Sequence, residues 1–418
     1  MTANGIDPKR IAVIGAGIVG VSTAAYLLRD GHAVQLIDAA GPAEGTSKGN
    51  AGALSPGSCV PLSMPGQHKK IPGWLLHSDG PLAIRPGYLF RALPWLIKFS
   101  LAGRPHRIGA IADALYRLHS RVFDCYAPLL KNADAEAMIR RTGTLVVFES
   151  EAALRSSEGD WKIRETRGAK VERLGAEELR QIEPALSPHY AGGVLLPEHG
   201  YTVDPYVMVC TLADRFQRDG GQFLKARVAA VRPDPSGGVR LATDAGEIHA
   251  DMAVIAAGAW SRTLAADLGA PVPLETQRGY HVTLTKPGIE PRLPVTSSEG
   301  KFYATPMAGG LRVAGTVEFA GLEAPPDYRR ARRLLGQVKR MYPGVAVDAF
   351  SDWMGHRPCL PDSLPVIGFM PGRRDVLLAF GHGHNGMTSG PVTGALIADL
   401  VAGRPPAIDL SPYRPDRF

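Results

Sequence analysis

At 418 residues and 44.6 kDa the chain exceeds what one compact core usually holds, and two domains are expected. With 45% apolar and 21% charged residues it has ample core material, which excludes a disordered chain, and the 48 glycines predict many sharp turns or close backbone contacts with a ligand. The net charge is +7, and the four cysteines (Cys59, Cys125, Cys210, Cys359) are scattered, so neither a disulfide framework nor a zinc site is indicated and free thiols in a reducing cytoplasm are expected.

The elements follow in chain order. RIAVIG reads as a strand, VSTAAYLLRDG as a helix ending at Gly31, and HAVQLIDAA as the next strand, together one right-handed βαβ unit. Residues 40–72 form a Gly/Ser/Pro-rich ordered loop. From His68 to Arg107 seven basic residues (Lys69, Lys70, Arg85, Arg91, Lys98, Arg104, Arg107) face one acid, Asp79, and are interleaved with Trp74, Tyr88, Phe90, Trp95 and Phe99. That mixture suits an anionic membrane surface, or equally a solvated helix whose aromatics enter the core. No nucleic-acid motif accompanies the charge, so no nucleic-acid partner is expected.

Residues 105–137 are helical by pattern, TGTLVVFE (142–149) is a strand, and 205–220 is a helix followed by strands near 222–232 and 239–243. DMAVIAAG (251–258) is a buried strand. Residues 280–285 alternate, 302–307 and 311–317 form a hairpin across Gly309-Gly310, 327–341 is a basic helix, and 390–403 is the last helix. Helical crossovers at start, middle and end, with hairpins between them, predict an α/β fold with a parallel-sheet domain built from discontinuous segments and a second, mainly antiparallel domain. Apolar stretches are broken within about ten residues, whereas a span needs roughly 18–20, and the first ten residues have no apolar h-region. A cytoplasmic protein, at most peripheral on the inner face of a membrane, is expected.

The most specific motif is Gly15-Ala16-Gly17-Ile18-Val19-Gly20, between strand and helix, with Asp38 ending the following strand. The first glycine permits a tight turn, the second lets the backbone approach a pyrophosphate, and the third lets helix and strand pack closely. The diphosphate then rests on the helix N-terminus, and the Asp38 carboxylate accepts from a ribose hydroxyl.

Four further segments lie in a recognisable order: GTSKGNAGALSPG, DMAVIAAGAWS, WMGHRPCLPDSLPVIG and LLAFGHGHNGMTSGP. With the glycine motif they resemble the FAD-dependent D-amino-acid oxidase/dehydrogenase-like superfamily, relatives of glycine oxidase and sarcosine oxidase, and most nearly its D-amino-acid dehydrogenase branch. The resemblance implies a glutathione-reductase-like fold, with an FAD-binding domain from 1–65, 195–268 and 350–418 and a substrate domain from 66–194 and 269–349. It implies that Thr46, Ser47, Asn50, Ala51 and Gly52 lie near the flavin phosphate and ring, and Ala257 and Gly258 near the adenosine. The Gly381-His382-Gly383-His384-Asn385-Gly386 turn, with Met387 and Thr388 opening the next helix, would meet the flavin pyrimidine edge. No cysteine matches the covalent attachment motif of the sarcosine oxidase branch near this turn, so non-covalent FAD is expected. Metal is not expected, since two histidines at i, i+2 lack further ligands.

On the substrate side the resemblance makes Arg357 the anchor of an amino-acid carboxylate, matched by its guanidinium fork. An ion pair with an acid such as Asp362 is the alternative. Tyr280 and Tyr303 are candidates to close the pocket, His382 is a polar active-site candidate, and His281, which alternates with Tyr280, should point to the other face. The implied reaction is oxidative deamination, most readily of a D-amino acid, by hydride transfer from Cα to flavin N5, giving an imino acid that hydrolyses to the 2-oxo acid. Electrons would pass to quinone or oxygen. Oxidation of a secondary amine such as proline, hydroxyproline or an N-methyl amino acid, or service as a flavin subunit of a larger electron-transfer assembly, are the alternatives.

Overall fold

The computed structural model describes residues 7–66 and 82–418; Lys69, Lys70, Trp74 and Asp79 of the basic stretch lie outside them. A six-stranded sheet runs in the order Gln222–Lys225, Ala33–Asp38, Arg10–Ile14, Met252–Ile255, Val376–Phe380, Val366–Phe369, parallel except for the last, antiparallel edge strand. Alternation divides its strands between two cores. Ile11, Val13, Leu36, Val254 and Leu377 pack on helices Ile18–Arg29, Pro205–Arg218 and Gly386–Val401, through Val21, Leu212 and Leu396 among others. Ala12, Ile14, Ile37, Ile255 and Leu378 face the other way, against Val231 and Leu241 of a three-stranded antiparallel sheet.

Two of these helices run side by side in the same direction. A Cβ on Gly390 would stand 3.0 Å from Ile18, and one on Gly394 would stand 2.8 Å from the Ser22 backbone. Glycine at both positions lets the helices touch and brings their N-termini together, beyond the carboxyl ends of the parallel strands, where open α/β sheets bind ligands.

The second sheet has nine strands. Its order is Phe350–Cys359, Glu275–Leu284, Gly310–Phe319, Phe302–Met307, Val295–Ser297, Thr144–Phe148, Gly192–Leu196 and Glu172–Gly175, with Leu82–Ile84 parallel to Gly310–Phe319. Its pairings are antiparallel apart from that one and Val295–Ser297 with Thr144–Phe148. Strand Phe350–Cys359, which the sequence reading groups with the FAD-binding segments, is hydrogen-bonded along its length to Glu275–Leu284 and so belongs to this sheet. Helix Arg329–Met341 covers one face through Leu334 and Val338. The other face looks across a cleft towards loop 46–52. No helix among the described residues is long and apolar enough to cross a membrane.

Candidate active site

The nucleotide end of the cleft is built on glycine. Gly15 has φ +106°, and a Cβ there would meet the Ala256 carbonyl oxygen at 2.5 Å; one on Gly20 would overlap the Gly15 carbonyl oxygen at 1.7 Å. Gly17 precedes a helix whose first turn holds no acid and whose N-cap makes no side-chain bond. The Ser47 hydroxyl accepts from Ile18 N–H at 3.0 Å, tying loop 46–52 to that helix start. Asp38 accepts from the backbone N–H groups of Ala16 (2.8 Å), Ala40 (2.8 Å) and Gly41 (3.1 Å). A carboxylate offers about four acceptor positions, so one remains for a ribose hydroxyl.

Loop 46–52 is held from both sides. Thr46 donates to the His356 carbonyl, Asn50 accepts from Gly52 N–H, and the Ala51 carbonyl accepts from Thr305, each at 2.7–2.8 Å. Gly52, at φ +76°, has no room for a Cβ, which would stand 2.7 Å from the Thr202 carbonyl oxygen. Beside the loop begins helix Gly386–Val401, again with no acid in its first turn. Its Thr388 hydroxyl donates to Ala53 O and accepts from Ser55 N–H. Before it, Gly381 (φ +88°) and Gly383 (φ +54°) shape the turn. Ala257 and Gly258 turn out of strand Met252–Ile255 at the same strand end as Gly15.

The sheet face across the cleft carries Gln277, Gly279 and His281 from one strand, with Arg357, Gly355 and Trp353 paired opposite them. The Arg357 guanidinium lies flat on Gly279, where a Cβ would be 2.0 Å from Cζ. Its Nη1 donates to the Thr316 carbonyl at 2.9 Å. No carboxylate pairs with Arg357 among the described residues, and Asp362, the acid considered as its partner, is bound by Arg417 at 2.8 Å. Trp353 stacks on His281 (5.1 Å between centroids) and covers Gly49 and Gly355, while His281 Nδ1 meets the Gly49 carbonyl at 3.0 Å. Arg312 donates to the Asn50 carbonyl at 2.7 Å.

Three expectations change. Tyr280 lies on the far face of the sheet, its hydroxyl donating to Glu318 at 2.6 Å and accepting from Asp327 N–H at 3.1 Å. The alternation with His281 holds, but the histidine is the cleft residue. His382 is fully enclosed and bonds Thr393 in the following helix at 2.8 Å, whereas His384 reaches Gln277 at 3.4 Å, beside Arg357. Burial, with the Arg357 charge as the smaller cause, brings the His384 pKa down to about 3. Burial, then Arg312, does the same to His281, also to about 3. Tyr303 keeps the cleft side of its strand, with its hydroxyl 3.3 Å from Thr144 and its pKa raised by burial. Gln277, Trp353 and Arg312 were not singled out from the sequence. The available signal was glycine two residues from Trp353 and from Gln277 on the same strand faces, a small residue wherever a large side chain lies flat.

A family described as "FAD dependent oxidoreductase" matches residues 10–400. The chain belongs to that family. It is 41% identical to a D-amino-acid oxidase of Bradyrhizobium diazoefficiens over 99% of both chains, and 30% identical to a D-amino acid dehydrogenase of Vibrio vulnificus over 97% of this chain and 99% of that one. Glycine oxidase from Geobacillus kaustophilus superposes with a TM-score of 0.75 at 22% identity, covering 98% and 99% of the two chains. L-proline dehydrogenase from P. horikoshii does so with 0.74 at 18%, covering 99% and 98%. At these identities the superpositions speak for the fold.

The cleft of this FAD-dependent oxidoreductase fits its cofactor. Gly15, Gly17 and Gly20 leave bare backbone at a helix N-terminus that holds no acid in its first turn, suited to a diphosphate. A second such N-terminus beside it, opening with Gly386, Met387 and Thr388, suits an electron-rich ring edge.

Proposed function

We propose that this flavoenzyme oxidises the Cα–N bond of a D-amino acid, with Arg357 holding the substrate carboxylate. The observation that carries the reading is a largely buried guanidinium in the cleft whose hydrogen-bond partners, among the described residues, are backbone carbonyls alone. Burial disfavours its charged form, and a guanidinium removed from water without an acid is costly unless a ligand supplies one. The Thr316 and Gly315 carbonyls take two of its five donors and fix the fork, leaving the others for a carboxylate. The D configuration is drawn from the relatives named for D-amino acids.

Bound FAD supplies the two-electron acceptor for the hydride that leaves substrate Cα. The amine must first shed its ammonium proton. A histidine with a pKa of about 3 is too weak a base to keep it, so His281 and His384 act as neutral hydrogen-bonding groups and the proton leaves to water. Tyr303, its pKa raised, stays a neutral hydroxyl on the cleft side. The imino acid product then hydrolyses to the 2-oxo acid and ammonia.

For the electron acceptor, a membrane quinone reached by peripheral contact is the reading favoured by the exposed apolar helix Leu89–Ala102. Oxygen is the second reading, favoured by the 41% identical relative's name. Dye reduction by the purified yellow protein across D- and L-amino acids, cyclic imino acids and sarcosine tests the substrate. Turnover of D-amino acids is expected; turnover confined to cyclic or N-methyl amines would refute the proposal. Peroxide formed at the rate of dye reduction would identify oxygen as the acceptor. Acid precipitation should release FAD into the supernatant, as non-covalent binding requires.

A further inference from the structure

Helix Leu89–Ala102 has two unlike sides. Inward, Ala92, Trp95 and Ala102 are buried; Trp95 stacks on Phe99 at 5.1 Å, contacts Phe319, and donates its indole N–H to the Cys359 carbonyl at 3.2 Å. That bond fastens the helix to the strand that carries Arg357. Outward, Leu89, Leu93, Ile97 and Leu101 recur every fourth residue and are 42, 45, 53 and 40% exposed, with Phe90 beside them at 82%. At 100° per residue these five span one side of the helix. It is the densest group of exposed large apolar side chains among the described residues. A monomer in water does not gain from a stripe of this kind.

Arg91 and Lys98, both exposed, border the stripe, and Arg104 and Arg107 follow the helix. Among the described residues none of the four is in an ion pair, and residues 82–112 contain no acid. An apolar face edged by unpaired cations is the composition of a helix lying in the headgroup boundary of an anionic bilayer. A second copy of this chain is disfavoured, because a two-fold interface on the stripe would bring the same cations of both copies together. We infer that helix Leu89–Ala102 docks this enzyme on an anionic lipid bilayer, with Phe90, Leu93 and Ile97 inserted and Arg91 and Lys98 at the headgroups. This deepens the acceptor half of the proposed function, and rests on it only for its purpose.

The holoenzyme is floated with vesicles of phosphatidylglycerol and phosphatidylcholine, and with vesicles of phosphatidylcholine alone. Wild type should bind the anionic vesicles and be released by salt. The triple variant Phe90→Ser/Leu93→Ser/Ile97→Ser should lose at least about tenfold in partitioning, and so should Arg91→Gln/Lys98→Gln, each surface cation contributing roughly fivefold. Substrate-dependent dye reduction in solution should be unchanged in both, which shows that they fold and separates this test from the substrate assignment. Equal flotation of wild type and triple variant would overturn the inference, as would wild type that floats with neither vesicle. A concentration-dependent dimer that the triple variant abolishes would also overturn it, assigning the stripe to self-association.

Discussion

The two faces of the nine-stranded sheet handle buried cations in opposite ways. On the face covered by helix Arg329–Met341, the enclosed Arg278 has an acid beside it. Arg278, with no exposed surface, stands 3.7 Å from Glu318, and the partly buried Arg85 reaches the same carboxylate at 3.3 Å. On the cleft face Arg357 and Arg312 bond, among the described residues, only carbonyls and one threonine hydroxyl. A cavity of about 450 Å³ opens on the first face, lined by Arg85, Glu318, Asp327 and Arg330, but its walls carry their own acids. In the proposed function the cleft face is the one whose positive charge a ligand would balance, so charge balance rather than open volume guides the proposed placement of the substrate.

The sharpest way to break this comparison is Arg357→Ala. Removing one partner of a desolvated bidentate pair costs roughly 3–5 kcal/mol, and each ~1.4 kcal/mol is tenfold in rate. kcat/KM for an amino acid should fall by a few orders of magnitude with the flavin spectrum intact. Arg357→Lys should recover part of the loss, since charge survives and the fork does not. Amines without a carboxylate should be hardly affected by the change; equal losses on both substrate types would make Arg357 a structural residue.

Glu318→Gln tests the other face. It retains the Tyr280 bond but leaves Arg278 enclosed without a countercharge, and should lower stability by about 2–3 kcal/mol in a denaturant titration. KM should not move. A change in KM with stability intact would place the substrate on the wrong side of the sheet.

Much of this was readable from sequence where the signal is local. The strand, the Gly15, Gly17 and Gly20 turn, the helix and Asp38 sit within one unit, and the structure keeps each in the expected relation. What failed was the choice of face. Alternation sets Tyr280 and His281 on opposite sides but does not say which side holds the cleft; that depends on Gly49, brought from far along the chain to meet His281. His382 and His384 differ in the same way, separated by Thr393 and Gln277. The sequence places strand Phe350–Cys359 with the FAD-binding segments because its pairing partner, Glu275–Leu284, is remote in sequence.

The histidines give a pH test of both regions. His281, His384 and His382 are lowered by burial to about 3, and His356 to about 4, from an ordinary 6.5. Between those values the unfolded chain binds protons that the folded one does not. Stability should therefore be complete above pH 6.5 and fall as pH drops towards 4, seen as a declining denaturation midpoint. The kcat profile should show no histidine limb near 6.5. A limb there would mean that His281 or His384 titrates as a base.

The smallest expected effect concerns how the Arg357 fork is fixed. Pairing of Gly310–Phe319 with Glu275–Leu284 shifts between Arg278 and Tyr280, so Thr316 and Val317 bulge opposite Gly279. Thr316 takes φ +62°, a conformation that disfavours a β-branched residue, and its buried hydroxyl has no partner among the described residues. Strain of this type costs about 1–3 kcal/mol and persists where the surroundings impose it. Here the bulge aims the Thr316 carbonyl at Arg357 Nη1. Glycine accepts the same conformation freely, so Thr316→Gly should raise stability by about 1 kcal/mol. The freer carbonyl should hold the guanidinium less firmly, raising KM roughly threefold to tenfold with kcat nearly unchanged. Thr316→Ala retains the positive φ and should leave KM alone. A Thr316→Gly enzyme that is more stable and binds substrate as before would show that the bulge serves the sheet rather than the arginine.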